Sequence, residues 1–157
     1  MIDFKSVLTA TFLVLSAITF AQDDIADARE NYNEGQTVTV TGIVTNGAEL
    51  GSIRYIQDET AGIAIYPGFD WGNLDFTPQP GDEITVTGEI SEFASLLEVG
   101  PTIDNMVLES SGNELPQPFV LTPDQLDESY EGMLVQIENA VFADGGSTFA
   151  SSTYNFT

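Results

Sequence analysis

The side chains that carry much of enzyme chemistry are missing from this sequence. Its 157 residues include no histidine and no cysteine. Their absence excludes Ser-His-Asp and Cys-His nucleophile arrangements, zinc sites with histidine or cysteine ligands, disulfides and thiol redox chemistry. Carboxylates are the groups left to act as general bases or to bind a divalent ion.

Three groups of neighbouring carboxylates are candidates for such an ion. They are Asp58 with Glu59, Asp70 with Asp75, and Asp82 with Glu83. None follows the spacing of a calcium-binding loop, and adjacent acids on a strand point to opposite faces of the sheet. We therefore predict solvated loop charges at these positions, with no catalytic residue, no metal and no cofactor in this chain.

Charge restricts the binding partners. The chain has 25 acidic residues against Lys5, Arg29 and Arg54, a net charge of −22. Proteins that bind phosphate backbones do so largely through Lys and Arg, which are nearly absent here. With 42% apolar and 10% aromatic residues, the composition is that of a globular protein with an acidic, solvated surface.

Residues 1–21 have the pattern of a secretory signal peptide. Lys5 precedes a mostly apolar run, and Ala21 ends a cleavage site with small residues before Gln22. The run is short for a membrane span, although an uncleaved anchor is the alternative. We expect a secreted, extracellular protein, with the periplasm or the cell surface as further locations, and no membrane partner after cleavage.

Two matched segments organise the rest of the chain. Residues 35–45 read GQTVTVTGIVT, and residues 81–91 read GDEITVTGEIS. The alternation of apolar and polar residues predicts a β-strand in each, and Gly42 and Gly88 indicate a bend or bulge. We predict that the two strands are neighbours. The side chains expected to face inward are Val38, Val40, Ile84 and Val86.

The further strands are predicted at residues 52–58, 63–66 and 106–108. Gly100-Pro101 is interpreted as a break before the last of them, and residues 67–80 as an irregular segment after the third. Five strands in this order are typical of an OB-fold, whereas a jelly roll or an immunoglobulin-like sandwich needs more strands. The predicted fold class is all-β, an OB-fold-like, five-stranded Greek-key barrel over residues 35–115.

Short helices are expected on both sides of the barrel. A lead-in helix in residues 22–34, capped by Asp23 or Asp24, either covers the barrel end or leads in from the signal peptide. A capping box at Thr122 predicts a linker helix that ends at Gly132. Since Gly132 and Val135 repeat the spacing of Gly35 and Val38, residues 116–157 are interpreted as this linker helix and the beginning of a second, truncated β domain.

The candidate ligand-binding residues lie on and near the second strand. OB-folds bind oligomers on strands two and three and on the flanking loops. The groups available there for stacking or hydrogen bonding are Arg54, Tyr55, Gln57, Tyr66 and Trp71. If Ile53 and Tyr55 point inward, Arg54 is the contact. If Ile56 points inward, Tyr55 and Gln57 face out.

Aromatic residues are concentrated in the irregular segment. Phe69, Trp71 and Phe76 lie there among glycines and prolines. They either plug the open end of the barrel or offer a stacking surface. We predict a plug, because aromatic side chains bury large areas.

The chain resembles OB-fold modules of secreted bacterial multidomain proteins in four strings: GQTVTVTGIVT, YIQDETAGIAIY, GDEITVTGEISEF and YEGMLVQIENAVF. Such modules often stand beside extracellular nuclease or phosphatase domains and are described as nucleic-acid-binding by analogy. Ile56-Gln57-Asp58 followed by Gly62-Ile63 is also similar to tRNA-anticodon-binding OB domains, and it favours the register with Ile56 inward. Those domains carry basic residues around the binding face, whereas this chain offers Arg54 alone.

The resemblance implies a secreted, non-catalytic OB-fold binding module of a larger extracellular protein. Any catalysis would belong to a C-terminal continuation such as a nuclease domain. The implied partners are single-stranded nucleic acid or an oligosaccharide, and downstream domains of the same chain. The alternative is a structural spacer, or a protein- or glycan-interaction module, that binds no nucleic acid.

Overall fold

The structure is a computed structural model, and it describes residues 22–69, 71, 75–141 and 146. The predictions for residues 1–21, for Asp70 and for residues 147–157 lie outside these residues. The elements, in chain order, are α1 (Ile25–Glu30), β1 (Thr37–Val44), β2 (Arg54–Gln57), β3 (Gly62–Ile65), β4 (Glu83–Phe93), β5 (Leu96–Ser110), β6 (Phe119–Leu121) and β7 (Val135–Ile137). No helix in this described part is long and apolar enough to cross a membrane.

Strands β1 to β5 close into a barrel. Hydrogen-bonded neighbours follow the order β1-β2-β3-β5-β4, and β4 returns to β1. β3 and β5 are parallel, and all other neighbours in the barrel are antiparallel. This order and its closure are those of an OB-fold. The predicted fold class is confirmed.

The two matched segments are neighbouring strands, as predicted. β1 and β4 pair antiparallel along residues 37–43 of β1. The four side chains expected to face inward are all buried: Val38, Val40, Ile84 and Val86. On the opposite face, the hydroxyl oxygens of Thr39 and Thr87 lie 2.9 Å apart, as expected for a cross-strand pair.

Gly42 and Gly88 lie where another strand comes close. A Cβ at Gly42 would be 3.0 Å from the backbone of Gln57, and the next residue, Ile43, pairs with β2 as well as with β4. A Cβ at Gly88 would be 2.6 Å from the carbonyl oxygen of Thr102, and the register between β4 and β5 shifts there. The absence of a side chain therefore allows β1 and β4 to approach their second neighbours.

The prediction of a short fifth strand after a break is wrong. β5 runs without interruption from Leu96 to Ser110, through Gly100 and Pro101. Ile90 of β4 pairs with Val99, but Gly88 pairs with Ile103, so the proline lies in a bulge where no ladder hydrogen bond is required of it. Gly100, at φ +148°, also lies against the backbone of Tyr66.

The interior of the barrel is aliphatic. The residues with no exposed surface include Ile56, Ile63, Ile65, Ile84, Ile90 and Val99. Ile25 and Ala28 of α1 are buried in the same core, so the helix covers the barrel. Trp71 also belongs to this core and Phe76 packs against it, as expected of a plug, whereas Phe69 is 97% exposed.

The linker after the barrel does not form the predicted helix. The capping box at Thr122 and Gln125 is present, but it opens a single 3-10 turn. A second turn begins at Asp127, whose carboxylate accepts a hydrogen bond from the N–H of Ser129. The Asp127 carboxylate thus starts a new turn where a helix would have to continue.

β6 and β7 form a small parallel sheet that repeats the entry into the barrel. Leu121 pairs with Ile137 across two 3-10 turns. Before the first barrel, Asp23 pairs in parallel with Val40 across α1. Both segments therefore have a bridge, a helical turn, a glycine and a strand in this order, and the interpretation of residues 116–157 as the start of a second β domain stays a prediction.

Candidate functional site

The outer face of β2, β3 and β5 is the candidate ligand surface. Ile56 points into the barrel with no exposed area, so Tyr55 and Gln57 face out. Tyr55 lies opposite Ala64, Gln57 opposite Gly62, and Ala64 opposite Glu98 of β5. We call the surface formed by Tyr55, Gln57, Gly62, Ala64 and Glu98 the outer face. The register favoured by the anticodon-binding resemblance is the one observed.

Arg54 lies on the opposite side of β2, inside the protein. Its Nε donates to the carbonyl oxygen of Pro78 at 3.0 Å, and its Nη1 to those of Gly51 and Ile53 at 2.9 Å each. The guanidinium carbon is 5.7 Å from the centre of the Trp71 ring, within the range of a cation–π contact. Arg54 thus joins the β1–β2 connection to the irregular segment.

The five predicted ligand-binding residues differ in how much of each is exposed. Arg54, Gln57 and Trp71 are 2%, 3% and 7% exposed, so little of each is accessible to a ligand. Tyr55 and Tyr66 are half-buried. Of the five, the two tyrosines therefore offer accessible surface for stacking. The ligand-binding role of all five stays a prediction.

A downstream segment lies across the outer face. We call residues 130–134 the strap. The N–H of Leu134 donates to Oε1 of Gln57 at 2.8 Å, and the carbonyl of Leu134 accepts from the N–H of Phe119 at 3.0 Å. At Gly132 the strap backbone meets that of Gly62, and a Cβ at Gly132 would lie 2.8 Å from the carbonyl carbon of Gly62. The strap therefore rests on β2 and β3 through backbone contacts.

Glu131 fixes the strap by its charge. Its Oε2 lies 3.0 Å from Nη2 of Arg29 and accepts a longer hydrogen bond, 3.4 Å, from the N–H of Leu97. The Arg29 guanidinium also donates to the carbonyl oxygen of Gly62 at 3.1 Å. Both side chains are mostly buried, at 13% and 18% exposure, so the ion pair is poorly screened by water.

Glu98 is a nearly buried carboxylate on the outer face. It is 5% exposed, and among the described residues it has no ion pair. Burial raises the pKa of Glu98. Burial and the carboxylates of Glu131 and Glu98 raise the pKa of Tyr55. The Glu98 carboxylate on this face makes it better suited to an uncharged or cationic group than to a phosphate.

The Asp58 carboxylate, considered above for a metal ion, caps α1 instead. Asp24 occupies the N-cap position, as predicted, but its side chain makes no capping hydrogen bond. Asp58 accepts from the N–H of Ile25 at 2.9 Å and from those of Thr60 and Ala61 at 2.7 and 2.8 Å. Burial works to raise the pKa of Asp58, but these hydrogen bonds outweigh it and hold the pKa below its usual value.

The remaining candidate carboxylates that the structure describes are hydrogen-bonded within the fold or exposed. Asp82 accepts from the N–H of Gln79 at 2.8 Å, and Glu83 accepts from the hydroxyl of Ser110 at 2.8 Å. Glu59 and Asp75 are exposed. Across residues 22–69, 71, 75–141 and 146, no three acidic side chains are placed to hold a metal ion together.

A cavity of about 240 Å³ remains beside the strap. It is lined by Thr45, Asn46, Tyr55, Gly132, Met133 and Leu134. Asn46 holds this region in shape, since its Oδ1 accepts from the N–H of Tyr55 at 2.6 Å. The cavity leaves one side of Tyr55 open to a small group.

The sequence analysis missed the residues that organise this face. The sequence does not associate Arg29 with Glu131, and it places Gly62 only in a hairpin loop and in the resemblance. Glu98, between the apolar Leu97 and Val99, was a usable signal, because a lone acid in an apolar strand predicts a covered carboxylate. The contact between Gly62 and Gly132 has no local signal in the sequence.

Comparison with known proteins finds a similarity to part of an endonuclease. No model of a known protein family matches the chain. The chain is 32% identical over 155 aligned positions to the endonuclease YhcR of Bacillus subtilis (strain 168), a match that covers 87% of this chain. The chain spans only 12% of the length of that relative.

A solved structure is similar in outline. The hypothetical protein ygiW from E. coli matches with a TM-score of 0.45 and 15% identity, over 57% of this chain and 90% of its own. At that score the likeness adds nothing to the fold assignment, which rests on strand order and register. The barrel, together with the similarity to one part of an endonuclease, fits an OB-like module.

Proposed function

We propose that this chain is a secreted, non-catalytic OB-type binding module of a larger, nuclease-like protein. The observation that carries the proposal is the 32% identity to an endonuclease of which the chain spans only 12%. The region that matches this chain is therefore one segment of that much longer endonuclease. Catalysis, where such a protein performs it, is assigned to other segments.

The chemistry of the described residues supports a non-catalytic role. The sequence has no histidine or cysteine to act as nucleophile or general base at neutral pH. Apart from Glu98, the buried and half-buried carboxylates considered above, Asp58, Asp82 and Glu131, accept structural hydrogen bonds. Secretion is supported by the signal-like pattern of residues 1–21.

The candidate ligand is single-stranded nucleic acid, because the relative is an endonuclease and OB barrels bind oligomers. Tyr55 and Tyr66 can stack on bases. The arginines of the described residues, Arg29 and Arg54, are engaged within the protein. Phosphate contacts would therefore need a divalent cation between the carboxylates of the protein and the phosphates of the ligand.

The second candidate is a spacer or protein-interaction module. The observation that favours it is the strap, which occupies part of the outer face where an oligomer would lie. A net charge of −22 is no obstacle to this role.

Titration of a labelled single-stranded oligonucleotide with the mature chain at low salt distinguishes the two candidates. With calcium or magnesium we expect binding, and we expect Tyr66→Ala to weaken it about tenfold, as for the loss of one stacked base. Phe93→Ala is the matched control, since it removes an exposed aromatic ring from the end of β4. Absence of binding up to millimolar protein, with and without the cations, would contradict nucleic-acid binding and favour the spacer.

A further inference from the structure

We propose that the outer face of the barrel is a peptide-docking surface for a Glu-Gly segment, and that residues 131–134 are its occupant. The contact joins the barrel to the unit that begins at β6 and β7. The inference goes beyond the proposed function and does not depend on nucleic-acid binding. Glu131, Gly132 and the N–H of Leu134 are held by different features of the barrel and of α1.

The acidic position is recognised by a cation and an amide. Glu131 lies 3.0 Å from Arg29 and accepts from the N–H of Leu97. A charge-assisted hydrogen bond of this length is stronger than a neutral one, and burial strengthens it further. Arg29 is one of only three basic residues in the chain, and its guanidinium is paired with the Glu131 carboxylate.

The glycine position is recognised by backbone contact. A Cβ on Gly62 would collide with the carbonyl group of Gly132, and a Cβ on Gly132 would lie 2.9 Å from the amide nitrogen of Ile63. Gly132 also has φ +76°, a conformation that side chains disfavour. Any other residue at either position would therefore lift the strap from β3.

The fourth position is held by its backbone. Oε1 of Gln57 accepts the N–H of Leu134 at 2.8 Å. Gln57 is 3% exposed, because the strap covers it. While the strap covers Gln57, the N–H of Leu134 satisfies this amide oxygen in place of water, so the contact stabilises the docked state.

The same pattern stands at the entry to the first barrel. Glu34-Gly35 precedes β1 as Glu131-Gly132 precedes β7, and a parallel bridge stands before each. The strap is therefore the entry segment of the following unit, docked on the barrel before it. This docking would hold successive units in a fixed relation.

Amide hydrogen exchange tests the docking in the intact chain. We expect Gly132→Val to accelerate exchange of the Leu134 and Leu97 amides at least tenfold, while the amides of β1 stay protected. The matched control is Gly112→Val, at a glycine of φ +74° where an added Cβ would have no atom within 4 Å. Equal exchange of these two amides in both variants would overturn the proposal.

A charge reversal covers the case in which Gly132→Val does not fold. Glu131→Arg should accelerate exchange of the same two amides. Glu128→Arg should not, because the Glu128 side chain is 78% exposed and lies 3.7 Å from Arg29. Unchanged exchange in Glu131→Arg contradicts the docking.

A peptide of residues 127–137 tests recognition in trans. Added to the Gly132→Val chain, it should restore protection of the Leu97 amide, and the same peptide with Glu131→Lys should not. Failure of the unmodified peptide to protect would overturn the selectivity claimed for the outer face. The oligonucleotide titration has a separate readout, so its failure contradicts the proposed function and leaves these exchange results intact.

Discussion

At the scale of single residues, Arg54 shows how burial changes the role of a charge. As a lone cation among acids it was a natural candidate for a ligand contact. In the barrel its guanidinium donates to three carbonyl oxygens and lies against Trp71. Burial works to lower the pKa of Arg54, and the carboxylate of Glu49 opposes that shift.

Replacement of Arg54 should therefore weaken the fold itself. We expect Arg54→Met to lower the free energy of unfolding by about 3 kcal/mol, because hydrogen bonds to a charged donor are lost from buried carbonyls. Urea denaturation measures the change. Tyr55→Phe, on the same strand but the opposite face, should stay within about 0.5 kcal/mol. A small effect of Arg54→Met would show that the three carbonyls find other donors.

At the scale of elements, the β2–β3 loop positions α1. Asp58 supplies the cap that the neighbouring residues of the helix do not, with an Asp58–Ile25 hydrogen bond of 2.9 Å. α1 places Ile25 and Ala28 in the core and Arg29 beside the strap. By capping α1, the Asp58 carboxylate therefore helps to hold both sets of contacts in place.

We expect Asp58→Asn to cost about 1–2 kcal/mol at pH 7, because the amide keeps only one of the two oxygens that accept from Ile25 and from Thr60 and Ala61, and it carries no charge. The folded pKa of Asp58 is lowered, because hydrogen bonds from Ile25, Thr60 and Ala61 outweigh its burial. Its stabilisation is therefore present above the unfolded pKa and is lost as the pH falls through the folded pKa. Urea titrations at a series of pH values should show the difference from wild type shrinking below about pH 4.

The control for this change is Glu59→Gln, which removes the adjacent, exposed charge. It should leave the stability close to that of wild type at every pH. If Glu59→Gln and Asp58→Asn behaved alike, the effect would come from loop charge and not from the cap.

At the scale of the whole molecule, the outer face is assembled from parts that are distant in sequence. β2, β3 and β5 form it, and the strap covers it. Glu98 is buried in this assembly in a chain whose net charge is already −22. Its ionised carboxylate is therefore unfavourable for folding at neutral pH.

We expect Glu98→Gln to raise the urea midpoint at pH 7. Burial raises the pKa of Glu98, so its favourable contribution is present below the unfolded pKa and is lost as the pH rises through the folded pKa. The gain of the variant should therefore disappear in acid, where wild-type Glu98 is protonated. Glu89→Gln, an exposed acid on β4, should show no such gain. Equal midpoints of Glu98→Gln and wild type at pH 7 would contradict the burial of this charge.

The sequence by itself determined the features that depend on local pattern. Period-2 alternation predicts which side chains face inward, and the matched segments with their glycines predict that β1 and β4 are neighbours. The strand order that identifies the OB-fold followed from counting these segments. The sequence also excluded histidine and cysteine chemistry, because composition needs no structure.

Only the tertiary structure decided the features that depend on contacts between distant residues. Both faces of residues 52–58 mix apolar and polar side chains, so the sequence left the orientation of β2 open. The register of β2 in the barrel places Arg54 inside the protein. β5 continues through Pro101, because this residue lies in a bulge against β4 where no ladder hydrogen bond from a backbone N–H is required. The strap closes on the outer face, because Gly62 and Gly132 have no side chains and Arg29 lies beside Glu131. No local pattern encodes that approach of two backbones.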